Sequence, residues 1–469
     1  MSDRLPARLR SPAFVLLVLG TIAGTAMAFG VPRLAGIDEP YHYLRAWSIS
    51  DGTLTPETGP LPGDRRGGGL CIPSRVLDDL FALRRPYLER LIPGFDGADP
   101  VKTTPTCPAA SGTPGASGAP GATPTRFVDV ATFAWYTPLS YAPAAAGVGL
   151  GRVVGLGVAG QLLLARLATL ATYLALCLLA VRIAPRCRWA LVVVALLPVS
   201  LFQAATSLSP DALTLAAVLL VVAVALRALE DRPGLSVRRL ALESLGASAL
   251  LAVSKPTYIV VGLVFLAAVL ARRSRWRVLI GPAVGVAISA AWYGHFRSQF
   301  VCDTRYFGVV ADPNGQTSRL LHAPWRLGGS VLGALVDHGG SWTRDLIGIG
   351  DRIVPWGVAA CAVVAVALAA VALAPDGHAL AFSARLVFVG TGVVCVAAVL
   401  AGWLISCNAP TWVVTSHPHA RLLAPALAPL LVGLTPPARR RTSWLTAAAA
   451  PVLAIVLIAW TAAMLATMH

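Results

Sequence analysis

Long apolar runs separated by short, arginine-bearing connections constrain this chain more than any other feature. Runs of this length need either protein on every side or a hydrocarbon solvent. Hydrophobic residues make up 56% of the 469 positions and charged residues only 13%, too little polar surface to enclose the runs in water. The mean hydropathy of +0.70 agrees. The expected fold class is therefore an all-α polytopic membrane protein, its backbone groups satisfied within helices. Candidate spans occupy residues 12–31, 161–181, 189–205, 212–226, 240–253, 257–271, 278–293, 354–373, 386–406, 422–434 and 444–465, about eleven helices in all.

A net charge of +16 would suggest nucleic acid in a soluble domain. Here the arginines fall in the connections 182–188, 227–239, 272–277, the one ending at Arg385, and 439–441, so the charge reads as orientation rather than as a nucleic-acid surface. With a cytoplasmic N-terminus, every one of these connections lands in the cytoplasm. The first run follows Arg4, Arg8 and Arg10 and contains Thr25-Ala26-Met27-Ala28, a small-residue pattern that would also suit signal cleavage. Its length of about 20 residues favours a retained helix. The same parity sends two long loops, 32–160 and 294–353, to the outer face of a single membrane domain covering 1–469. The apolar piece 138–154 must then enter and leave on the outer side, as a re-entrant or interfacial helix. Segment 103–125 is Pro, Gly, Ala, Ser and Thr and reads as a mobile surface stretch.

Cysteine spacing gives no metal or haem signature. Cys177, Cys187, Cys361 and Cys395 lie in or beside apolar runs and read as packing residues. Cys71, Cys107, Cys302 and Cys407 fall in outer loops, where disulfides and free thiols are both open.

The chemistry-bearing residues gather on that outer face. Asp38-Glu39-Pro40 opens a short helix running to about Ser50, with Tyr41, Leu44 and Ile49 expected against lipid and His42, Arg45 and Asp51 toward water. The carboxylates either cap this helix or serve a site. Ser209 of Ser207-Leu208-Ser209-Pro210-Asp211 suits a helix cap, leaving Asp211 for acceptor binding. Lys255, one of only two lysines, either snorkels to headgroups or binds a phosphate. In Ser416-His417-Pro418-His419-Ala420-Arg421, the arginine and histidines suit an anion better than a divalent metal, and pairing of Arg421 with a carboxylate is the other use. Trp342, with Asp345 and Asp351 nearby, and Phe133, Trp135, Tyr136 and Tyr141 are either interfacial anchors or platforms for sugar rings.

Read in order, Asp38-Glu39-Pro40 with His42 and Arg45, Tyr136-Thr137-Pro138-Leu139, Ser207-Leu208-Ser209-Pro210-Asp211, Ser254-Lys255-Pro256-Thr257-Tyr258, Trp342 and Arg421-Leu422-Leu423-Ala424-Pro425 resemble the bacterial membrane family called domain of unknown function 2142. That family is grouped with GT-C-fold glycosyltransferases. The last motif departs from the expected Gly-Arg-Tyr, since Ala420 and Leu422 flank the arginine. The resemblance implies a GT-C-like bundle moving a sugar from a polyprenyl-phosphate donor to a cell-envelope glycan, lipid or protein, with inversion. It implies Asp38 as base with Glu39 positioning or sharing that role, Lys255, Arg421 and His419 on the donor phosphate, and His42, Arg45, Tyr136, Asp211 and Trp342 toward acceptor or sugar. No cofactor is implied, and a divalent metal is not indicated. Two other classes fit the composition. A transporter or flippase of lipid-linked saccharides would place charged or broken helices near the midplane, often with internal repeats. A non-catalytic scaffold of envelope assembly would bind without transfer.

Overall fold

The computed structural model describes residues 11–61, 65–91, 103–104, 107, 124–130, 133, 136–230, 235–296, 312–348, 358–374, 376, 379–407, 411–413, 419–436 and 443–468. Trp135, Cys302, Asp351, His417 and most of 103–125 lie outside these residues, as do the side chain of Cys407 and the first arginines.

Every apolar run expected to be helical falls on a helix. The chain begins with α1 (Pro12–Gly30), in which Pro12 takes a first-turn position where its missing N–H costs nothing. Among the described residues six helices are long and apolar enough to cross a membrane: α1, Val158–Ile183, Pro210–Ala228, Arg273–Phe296, Phe382–Ile405 and Ala447–Met468. A seventh candidate is a broken helix, Arg188–Leu196 followed by Pro198–Ser207, bent by 59°. The expected span 189–205 is thus not straight. Pro198 has no N–H to continue the ladder, and the chain re-enters α-helix over Pro198–Phe202 and ends in a π-turn over Gln203–Ser207. The shorter apolar helices are Pro256–Ala271, Ala359–Ala372 and Ala424–Leu434.

Between α1 and the first long helix lie α2 (Glu39–Ser50), β1 (Glu57–Leu61), β2 (Arg65–Pro73), α3 (Ser74–Leu91), β3 (Thr103–Thr104), β4 (Thr125–Asp129) and α4 (Ala142–Val153). The strands form one antiparallel sheet in the order β1-β2-β4-β3, an element that the all-α expectation did not contain. Its period-2 face sends Leu70, Ile72, Val128 and Val130 onto Leu44, Ala46 and Trp47 of α2. The other face closes over Phe127, which lies against Gly69; a Cβ there would sit 2.0 Å from the ring, so only glycine fits. Cys71 and Cys107 form a disulfide beside this ring.

The short helix α4 has 12 residues, about 18 Å of rise against about 30 Å of hydrocarbon. It turns at Gly155 (φ +75°) onto α5 (Val158–Ile183). Gly147 permits the contact, because a Cβ at that position would meet the Ala165 backbone at 2.6 Å. The central helix is Pro210–Ala228, most of which is buried by its neighbours. Cys177, Cys187, Cys361 and Cys395 are buried, as their apolar settings required.

Candidate functional site

The site grows from the turn Gly36-Ile37-Asp38-Glu39. Gly36 is pressed against Thr206, whose carbonyl oxygen would lie 2.4 Å from an added Cβ, so the turn is seated on the π-turn of the broken helix. Asp38 takes the N-cap position of α2 but sits in the left-handed region (φ +55°) and makes no side-chain cap bond. A non-glycine residue held there stores backbone strain, which gathers at functional sites. Its carboxylate instead meets Arg421, with Nη2 donating to Oδ2 at 2.9 Å.

Glu39 has the opposite fate. It is fully buried, accepting from Gly36 N at 3.0 Å and from Arg166 Nε and Nη2 at 2.6 and 2.8 Å. Arg166 projects from α5 and also donates to the carbonyls of Ala28, Val31 and Pro32 at 2.9–3.0 Å. One guanidinium therefore ties the end of α1 and the start of α2 to α5. Glu39 is consumed by this anchor and does not stand beside Asp38 as a second reactive carboxylate. The sequence reading missed Arg166. Its signal was present, as an arginine near the start of an otherwise apolar run.

The expected orientation of α2 is also corrected. Leu44 does not face lipid, and His42 and Arg45 do not face water, because sheet, α4 and α5 enclose the helix. Arg45 donates to the carbonyls of Thr53 and Leu54, closing the loop that follows its own helix. His42 Nδ1 lies 2.9 Å from the Tyr141 hydroxyl, and its ring packs edge-on against Phe133. Both side chains are buried, and His42 lies close enough to Asp38 and Asp211 to interact with them electrostatically.

Opposite Asp38, Ser209 caps the central helix by accepting from Asp211 N at 3.0 Å, as expected. That leaves the Asp211 carboxylate to pair with Lys255 Nζ through Oδ1 and to face Arg421 Nε through Oδ2 at 3.6 Å. Lys255 does not snorkel outward. It is buried, with Nζ also 5.1 Å from the centre of the Tyr136 ring. Neighbouring bonds fix the loops that carry these residues. Thr137 Oγ1 donates to Val253 O just before Lys255, and Tyr258 Oη donates to Leu422 O at 2.7 Å just after Arg421.

The result is an alternating chain, Asp38–Arg421–Asp211–Lys255, assembled from four separate parts of the sequence. Burial pushes the Asp38 carboxyl up, but the Arg421 guanidinium more than reverses this. The side chain keeps 39% of its surface open, so the neighbouring charge decides the shift, and Asp38 is ionised at neutral pH. Burial lowers His42 to about 4 against the pull of Asp38 and Asp211, which keeps it neutral. His419 is exposed beside the turn of Arg421. Trp342 is buried in Arg326–Gly348, a helix that packs on that turn, with its ring 5.8 Å from His338. A small cavity of ≈ 10 Å³, room for about one water, lies beside the chain of charges, bounded by Asp211, Tyr258 and Arg421. Among the described residues no group of three His, Cys, Asp or Glu side chains is placed to hold a metal ion.

A mainly helical bundle with a charged, partly buried cluster at the end of its central helix defines a polytopic membrane protein with a polar site. The chain belongs to the family described as predicted membrane protein (DUF2142), whose family model matches residues 21–411. That match takes in Asp38, Asp211 and Lys255 and stops short of Arg421. No curated protein and no solved structure matches the chain.

Proposed function

We propose that this chain is a GT-C-like glycosyltransferase that moves a sugar from a polyprenyl phosphate to a cell-envelope acceptor at the extracytoplasmic face. The observation that carries the reading is Asp38 itself: an ionised carboxylate, relieved of capping, paired with Arg421, which lines a small cavity. In the proposed reaction an acceptor hydroxyl oxygen attacks the anomeric carbon and Asp38 takes its proton. The bond from that carbon to the lipid phosphate breaks, with inversion. Charge grows on the departing phosphate, which Arg421 and Lys255 stabilise, with His419 at the rim. A phosphate that engages Arg421 draws it away from Asp38, and the loss of this counter-ion raises the proton affinity of the carboxylate when a base is needed. Asp211 shares both cations and holds them in register.

The topology proposed with this reaction has about eleven passages, in which the helix Val237–Ser254 and the three shorter apolar helices also cross. Loops 32–160 and 294–353 then lie outside. The Cys71–Cys107 bridge supports this side, because disulfides persist in oxidising compartments and the sheet that carries it packs on α2 next to Asp38.

The test is transfer by purified protein from polyprenyl-phosphate sugar to envelope material, with the substrates taken from a deletion strain that accumulates donor and under-decorates acceptor. A folded Asp38→Asn variant is expected to lose transfer by two or more orders of magnitude. Full transfer by that variant would remove Asp38 as the base. Donor binding without transfer by the unaltered protein would favour the scaffold.

A further inference from the structure

Two consecutive helices, Pro313–His322 and Arg326–Gly348, turn apolar side chains away from the protein. Leu321, Trp325, Leu332, Leu335 and Val336 are exposed, Trp325 by 74% and Val336 by 83%. At about 3.6 residues per turn, Gly329, Leu332, Gly333, Val336 and Gly340 share one face of the longer helix, opposite the buried Ser330 and Ala334. No charged residue occurs between Arg326 and Asp337, so the outward face is bare of charge along about 15 Å of helix. Exposed apolar surface of this extent marks a place of contact with something else.

The surroundings choose the occupant. The longer helix packs against Val358–Ala372 and Phe382–Cys407, whose own Val363, Val366, Phe382, Leu386 and Val393 are exposed, so its apolar face extends the surface that the bundle offers to lipid. It is not built to cross a bilayer itself: five glycines with Asp337, Arg344 and Asp345 make it too polar. Where the two helices meet, Arg319, His322 and Arg326 are exposed around Trp325, which sets cationic side chains and an indole together as at the level of lipid headgroups. The inward side is held by the protein. Ser330 Oγ donates to Trp412 O at 2.6 Å, and Gln316 Nε2 donates to Thr411 O at 2.8 Å.

We infer that Pro313–His322 and Arg326–Gly348 form a docking surface for phospholipid and lie within one leaflet, with Leu332 and Val336 among the acyl chains near the glycerol and Arg319, His322 and Arg326 at the phosphates. The docked pair grips the backbone at Thr411 and Trp412, about ten residues before Arg421, and so refers the approach to the charged site to the membrane surface. This placement rests on the chain being a membrane protein and on no reaction.

The experiment uses the unaltered full chain in phosphatidylcholine nanodiscs, with a diazirine placed on the lipid either in the acyl chain near the glycerol or at its methyl end, and maps the modified peptides by mass spectrometry. Residues 328–336 are expected to take up roughly threefold or more of the near-glycerol probe relative to the methyl-end probe, whereas α1, which crosses the whole bilayer, takes up both. A diazirine in the headgroup should modify 319–326, and a water-soluble diazirine should spare 328–336. Absence of lipid modification at 328–336, or stronger modification there by the water-soluble reagent, would overturn the docking surface. Preference for the methyl-end probe would make the helix a span and overturn it equally. Protection of 328–336 from every probe in particles holding two chains would give the face to a second copy. Modification from the near-glycerol position in a protein without transferase activity would uphold the docking surface and leave only the reaction proposed above refuted.

Discussion

Asp38 and Glu39 are adjacent carboxylates with different loads, and substituting each in turn separates them. Glu39→Ala removes both oxygens that Arg166 Nε and Nη2 reach at 2.6 and 2.8 Å, and leaves a guanidinium at 2% exposure with only carbonyl partners. Breaking a buried ion pair by removing one member costs about 3–5 kcal/mol. The three carbonyl bonds from Arg166 survive, which argues for the lower half of that range. Asp38→Asn removes half of a pair whose carboxylate is 39% exposed to solvent screening, and costs less than about 1 kcal/mol. Heating the protein in detergent with a fluorogenic maleimide reports unfolding through the buried thiols of Cys177, Cys187, Cys361 and Cys395. The midpoint is expected to fall by about 5–10 °C in Glu39→Ala and by less than about 2 °C in Asp38→Asn. A Glu39→Ala midpoint no lower than that of Asp38→Asn would refute the anchor and return Glu39 to the reactive pair.

His42 is held near 4 by burial, against 6.5 in the unfolded chain. Between these values the unfolded state binds the extra proton, so stability contributed by the neutral imidazole is present above pH 6.5 and is lost as pH falls toward 4. The full effect is about 3 kcal/mol, and His42→Gln should flatten the stability-versus-pH curve in that window; an unchanged slope would remove His42 as its source. The Cys71–Cys107 bridge closes 36 residues of sequence, and on the chain-entropy account contributes about 4 kcal/mol to the sheet lobe. In intact cells a membrane-impermeant maleimide should label these two cysteines only after an impermeant reductant is added; labelling that needs cell lysis would contradict the outer placement.

Much of the architecture was legible because hydropathy acts residue by residue. The apolar runs at Pro12, Val158 and Pro210 announce their helices without help from the rest of the chain, and Pro210 with Ser209 announces a helix start. The cap at Ser209 is equally local, a side-chain oxygen reaching two residues forward. The sheet was not legible, since β2 is rich in glycine and arginine and packs with Phe127 and a disulfide partner 36 residues away. The orientation of α2 failed for a related reason. Its residues suit an amphipathic surface helix, but α4 and the sheet cover both faces, and no pattern within α2 records that.

The sequence by itself determined that the chain lives in a membrane, where its helices begin, and which ionisable residues are too costly there to be incidental. Its free energy of transfer is a sum over residues, so it can be read in order. Only the tertiary structure decided what each ionisable residue does. Asp38 and Glu39 are indistinguishable as neighbours, and the difference between them lies 127 residues away in Arg166 and 383 residues away in Arg421. Ion pairs and hydrogen bonds act over a few ångströms of space, a distance that chain order does not encode.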